Sequence, residues 1–277
     1  DSRDQESADH EEQRDAVEKA LTHKFSVITG GPGTGKTYTA ARIIALMASH
    51  GIGGNPIPRI ALAAPTGKAA NRVHQSLSAA LDLPEVKRII GGRSVPEEAT
   101  TLHSLLKIYR GSPKARQNAA NPLPVDVLII DEASMIDLPM MHRVLEALPK
   151  SAHLILLGDK DQLSSVEAGS VLAELCAQDK PYIATISKSR RYEKSPGIGE
   201  LAEAINRCKP GKEPSLPDLE KNENVTWREL VKGENTWTPK WLEEAKDRLE
   251  ELRRLIIHGK NVVKVLEHQT DFQILCA

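Results

Sequence analysis

The stretch Phe25-Ser26-Val27-Ile28-Thr29-Gly30-Gly31-Pro32-Gly33-Thr34-Gly35-Lys36-Thr37 decides the fold. Its first five residues are a short apolar run of the kind that forms a strand buried on both faces. The next eight fit G-x-x-x-x-G-K-[ST] and open onto residues 37–49, whose apolar spacing predicts a helix. In that strand–loop–helix context the glycines let successive backbone N–H groups wrap a phosphate without Cβ clashes. The helix N-terminus adds the positive end of its dipole. Lys36 is set to reach the β- and γ-phosphates of ATP, and Thr37 to offer its hydroxyl to Mg2+. Gly30, Gly31, Pro32, Gly33, Thr34, Gly35, Lys36 and Thr37 are therefore the candidate nucleotide-binding residues.

Working outward, apolar runs recur at 60–64, 125–130, 154–157 and 182–186, with helical patterns at 68–80, 139–148 and 168–176 between them. Short apolar runs alternating with helices predict an α/β fold, a parallel sheet with helices on both faces. Such sheets bind ligands outside the carboxyl ends of their strands. The run 125–130 ends in Asp131-Glu132, and 154–157 leads into Gly158-Asp159-Lys160-Asp161-Gln162. Asp131 is expected to hold Mg2+ through water, Glu132 to polarise the attacking water, and Gln162 to reach the γ-phosphate.

The chain has 277 residues and a formal net charge of −1, which excludes a uniformly basic coat but not a local basic face. Nine aromatic residues are too few for a base-stacking platform to be the main binding device. No apolar run reaches 18 residues, so no membrane span is expected, and residues 1–12 are polar and carry no signal-peptide pattern. Cys176, Cys208 and Cys276 lie far apart, with no ligand spacing for zinc, which favours a reducing, cytoplasmic compartment. Residues 111–124 and 208–224 read as a loop and a linker. A helical stripe from Trp241 to Ile256 reads as a core face, and 272–276 as a buried strand.

Between Arg59 and Ala120 ten Lys or Arg stand against four acids, a local excess suited to neutralising nucleic-acid phosphates. Pro65-Thr66-Gly67-Lys68 falls at a strand end and helix start, where backbone N–H groups can hold a phosphate. His103 is either a helix cap or a contact to DNA.

Taken together, GGPGTGKT (30–37), APTGKAA (64–70), TLHSLL (101–106), DEASMID (131–137) and GDKDQLSSVEAG (158–169) resemble the RecD branch of the superfamily 1 DNA helicases, the alpha chains of exonuclease V. The likeness runs from about residue 13 to 206. It implies a RecA-like P-loop NTPase fold, DNA-dependent ATPase and helicase activity on single-stranded DNA in recombinational double-strand break repair, and RecB- and RecC-like partner subunits. It also implies that Gln13 reads adenine, that Arg191 contacts the γ-phosphate from a second motor domain, and that Thr66, Lys68, His103, Ser165 and Val166 lie near the bound strand. Arg190 stands where the family often has an aromatic. The family's later motifs of the type T-x-H-K-S-Q-G and Y-T-A-x-T-R-A do not occur. The implied organisation is a lead-in at 1–12, a motor domain at 13–186, and the truncated opening of a second motor domain at 187–277. Two other readings remain: a nucleotide-binding module without complete turnover, and a P-loop ATPase of another class.

Overall fold

A computed structural model describes residues 2–96, 98–109, 114–162, 171–178, 180–187, 196–206 and 240–257. In chain order the elements are α1 (Ser2–Thr22), β1 (Phe25–Thr29), α2 (Lys36–His50), β2 (Ile60–Ala64), α3 (Gly67–Leu81), α4 (Pro84–Ile90), β3 (Ala99–Thr101) and α5 (Leu102–Leu105). Then come β4 (Val127–Ile130), a 3-10 turn (Ala133–Met135), α6 (Leu138–Ala147), β5 (His153–Gly158), α7 (Val171–Cys176), β6 (Ile183–Thr185), α8 (Pro196–Asn206) and α9 (Lys240–Ile257). The chain forms two compact units, Asp1–Asp218 and Leu219–Ala277.

All strands belong to one parallel sheet in the first unit, ordered β3-β2-β4-β5-β1-β6. Period-two alternation sorts its side chains into two cores. Ile28, Leu62, Val127, Ile129, Ile155 and Leu157 face one core, closed by α1, α2, α3 and α4. Val27, Ala63, Leu128, Ile130, Leu154 and Leu156 face the other, closed by α5, α6 and α7. Because both faces are covered, β4 and β5 are buried at every residue, which is why their sequences read as unbroken apolar runs.

The expected strands form within one or two residues of their expected ends, except at the start of the run 125–130. There Val125 and Asp126 precede the strand, because Asp126 is a lock. Its carboxylate accepts from the Arg59 backbone N–H at 2.8 Å, from Arg59 Nε at 3.1 Å and from Asn55 Nδ2 at 3.0 Å. Its second oxygen accepts from the Arg59 guanidinium at 3.0 Å. The carboxylate thus ties the 55–59 loop to the foot of β4.

Other differences have local causes. The lead-in and the short helix expected from Gln13 are one helix, α1. β3 was not expected because it is three residues long and half-buried, with no apolar run. The Trp241–Ile256 stripe does form a helix, but Leu249 and Ile256 remain at least half exposed and are not core. The linker 208–224 and the strand expected at 272–276 lie outside the described residues.

Two outcomes follow from this packing. Ile155→Ala, in the strand buried on both faces, is expected to lower unfolding free energy by about 2–5 kcal/mol in denaturant titrations. The Arg59 hydrogen bonds hold the Asp126 carboxyl below its ordinary range. A group whose folded pKa is depressed stabilises the fold above its unfolded value, about 3.9, and loses that contribution as pH falls through the folded value. Asp126→Asn should therefore lower the melting temperature at neutral pH, and the difference from the parent should shrink as the pH is taken below about 4.

Candidate nucleotide site

β1 and β4 flank β5, so the loop after β1 and the acids after β4 leave the sheet at its carboxyl edge with a single strand between them. The Gly30 N–H donates to the Gly158 carbonyl at 3.1 Å, joining the start of the loop to the end of β5. A Cβ on Gly30 would strike the Ile186 carbonyl oxygen, so only glycine fits where the loop begins. Gly33 and Gly35 have φ of 80° and 91°, the left-handed region that glycine enters without penalty. Thr34 Oγ1 donates to the Gly31 carbonyl at 2.9 Å and closes the loop on itself.

α2 starts at Lys36 with no side-chain cap and no acid in its first turn. Its first N–H groups and its dipole are therefore directed at the loop's interior, an arrangement that favours an anion. Lys36 Nζ donates to the carbonyls of Gly30 at 2.5 Å and Gly31 at 2.9 Å, which holds the ammonium over the loop. The buried Gln13 side chain from α1 lies against Gly35: a Cβ there would come 2.9 Å from Gln13 Nε2. Gln13 Oε1 is buried and finds no hydrogen-bond partner among the described residues. A buried amide oxygen without a partner is costly, and a ligand amine is the kind of group that would relieve it.

Asp131 follows β4 and accepts the Glu132 backbone N–H at 2.8 Å. Burial pushes its carboxyl up to about 6; the Glu132 charge adds to this, while the Glu132 N–H bond and the nearby Lys36 ammonium oppose it. Glu132 holds φ 53° and ψ 39°, left-handed backbone that a non-glycine residue adopts at some cost. Buried Ala133 and Ile136 hold the segment in place. Ser134 Oγ donates to Gln162 Oε1 at 2.8 Å, which fixes the amide beside the acids.

A cavity of about 670 Å3 joins these parts. It is lined by residues 32–37 on one side, by Asp131, Glu132 and Gln162 on another, and by Arg72 and Ser76 of α3. Lys36, Thr37, Asp131, Glu132 and Gln162 are thus brought together as expected from the sequence. Arg72, Ser76 and Ser134 were not foreseen. Arg72 and Ser76 stand four residues apart on α3, and only the packing of Ala69, Val73 and Leu77 decides that their face meets the cavity. Ser134 was visible only as part of a motif.

Pro65, Thr66 and Lys68 leave β2 while His103 follows β3, and Ala64 pairs with Thr101, so both segments emerge at one level of the carboxyl edge. Thr66 caps α3 through its hydroxyl, which accepts from Ala69 N at 3.2 Å, and Lys68 is exposed. Thr101, not His103, caps α5, and His103 is exposed. The basic stretch is less available than its charge implies. Arg59 serves Asp126, Lys87 pairs with Asp82 at 2.9 Å, Arg93 donates to the Ala48 carbonyl, and Arg72 faces the phosphate cavity. Arg191, Ser165 and Val166 lie outside the described residues.

Fold and site together define a RecA-like P-loop nucleotide-binding domain. Residues 13–168 match the family model described as an AAA domain, and the chain belongs to that family. It is homologous to RecD proteins. It is 48% identical over 204 residues to "RecBCD enzyme subunit RecD" of Mycolicibacterium smegmatis, covering 72% of this chain and 36% of that protein. It is 40% identical over 235 residues to the protein of the same name from Haemophilus influenzae, covering 71% and 35%. It is 37% identical over 188 residues to the "ATP-dependent RecD2 DNA helicase" of Deinococcus radiodurans, covering 68% and 22%. The chain therefore spans about a third of the length of the RecD relatives. Among the described residues no helix is long and apolar enough to cross a membrane.

Gly158 is the point where this site is most tightly packed. A Cβ there would come 2.6 Å from Leu172 Cδ2 and 3.2 Å from Ser134 N. Gly158→Ala is expected to cost about 1–3 kcal/mol of stability by overpacking. It should also weaken nucleotide binding by displacing the segment that carries Glu132, as read by thermal melts and nucleotide titration.

Proposed function

We propose that this chain is the ATP-hydrolysing motor domain of a DNA helicase that acts on single-stranded DNA in double-strand break repair, with RecB- and RecC-like subunits as partners and a cytoplasmic site of action. The observation that carries the reading is the convergence of Lys36, Thr37, Asp131, Glu132 and Gln162 on one cavity at the carboxyl edge of the sheet.

In this reading the loop N–H groups, the α2 N-terminus and Lys36 bind the β- and γ-phosphates, and Gln13 accepts from the adenine amine through its unpartnered amide oxygen. Thr37 and Asp131 would hold Mg2+, which on binding neutralises phosphate charge; carboxylate, hydroxyl and phosphate oxygens are the hard donors it prefers. Glu132 orients water for in-line attack on the γ-phosphate. Gln162, fixed by Ser134, sits where the presence of that phosphate changes its hydrogen bonding. Arg191 supplies a further cation, and the segment from 187 opens a second motor domain. Pro65, Thr66, Lys68 and His103, together with Ser165 and Val166, contact the strand through its backbone. Sequence-specific base contacts are not expected of a motor that passes over every base.

Steady-state ATP hydrolysis with and without single-stranded oligonucleotide tests the reading. Turnover stimulated by DNA and abolished in Lys36→Ala is the expected result. Glu132→Gln should lower turnover by about 10²-fold or more while nucleotide binding persists. Gln162→Ala should reduce DNA stimulation and leave ADP binding intact. Tight nucleotide binding without turnover would instead identify a binding module. Absence of both would overturn the assignment.

A further inference from the structure

Arg72 belongs by sequence to the basic stretch set aside for DNA, yet its side chain lines the phosphate cavity. Ala69, Arg72, Val73 and Ser76 lie at i, i+3, i+4 and i+7 on α3, and all four border that cavity. Ala69 and Val73 are buried against Ala64 and Ala70, which anchors the backbone on both sides of Arg72. The helix neighbours of Arg72 at three and four residues are Lys68, Ala69, Gln75 and Ser76, none of them acidic. Among the described residues Arg72 forms no salt bridge.

The charge of the cavity also needs it. Its ionisable lining is Lys36, Arg72, Asp131 and Glu132. Without Arg72 two carboxylates would face a bound anion against a single ammonium. The sheet order sets which phosphate Arg72 meets. Counting from the loop, the sheet runs β1, β5, β4 and then β2, so α3 stands beyond the acids at the end remote from the loop. The inner phosphates are held by the loop and α2, and the terminal phosphate lies towards the acids.

Resting on the function proposed above, we infer that Arg72 is a second phosphate-binding cation, supplied from within the same domain and directed at the γ-phosphate of ATP. A guanidinium suits this task because its planar fork donates to two phosphate oxygens at once.

The test is titration of fluorescent Mg-nucleotide into the 277-residue chain, comparing ADP with the non-hydrolysable analogue adenylyl imidodiphosphate. Arg72→Ala should weaken the triphosphate analogue by about 10- to 100-fold and change ADP by no more than about 2-fold. Arg72→Lys, which keeps the charge and loses the fork, should fall between Arg72→Ala and the parent. Thermal melts verify that both variants remain folded, and the lysine variant carries the comparison if the alanine variant does not. Equal loss for both nucleotides, or no loss for either, overturns the inference. Lys36→Ala separates the two proposals: loss of both nucleotides there beside an unchanged Arg72→Ala leaves the phosphate loop standing and removes Arg72 alone. A parent chain that binds neither nucleotide overturns both.

Discussion

The backbone hydrogen bond from Gly30 to Gly158 is the constraint on which the site depends. It fixes the start of the phosphate loop to the end of the strand that separates β1 from β4. Neighbouring strands lie about 4.8 Å apart, so Lys36 and the Asp131–Glu132 pair leave the sheet about 10 Å from each other, close enough to act on one phosphate chain. Gly158 serves twice at this point. Its carbonyl takes the loop, and its missing Cβ leaves room for the backbone of Ala133 and Ser134.

Around that joint the protein holds several unfavourable arrangements that a compact core can offset. Glu132 sits in left-handed backbone, of order 1–3 kcal/mol above an ordinary conformation. Asp131 is a carboxyl pushed up to about 6 by burial, and Gln13 buries an amide oxygen without a partner. Each lies on the wall of the phosphate cavity or against its loop. The surrounding strands are buried on both faces and cannot relax, so the strain persists at the site. Local arrangements that are poor in isolation mark places where a ligand, not the fold, completes the interactions.

The basic stretch from Arg59 to Ala120 shows how charge counting overstates a surface. Its excess is real, yet Arg59, Lys87 and Arg93 hold loops and helix ends, and Arg72 turns to the nucleotide side. Lys68 and His103 remain exposed at the carboxyl edge, on segments that leave adjacent strands. The edge that holds phosphates of a nucleotide therefore also presents groups suited to phosphates of a strand, with α3 bordering both.

Much of this was legible in the residues alone. The apolar runs predicted the sheet because strands buried on both faces must be apolar throughout, and the glycine-rich loop and the acids after β4 announced phosphate chemistry because few other residue sets perform it. Short or half-buried elements such as β3 and α5 left no such pattern. The face of α3 that meets the cavity, the Ser134–Gln162 bond and the Asp126 lock were not readable either. They join residues 28 to 71 positions apart, or depend on how a helix rotates onto its sheet. Sequence spacing determines which residues share a strand or a helix face. Only the packed tertiary structure decides which face meets the site, because that choice is made by the burial of Ala69, Val73 and Leu77 and not by Arg72 itself.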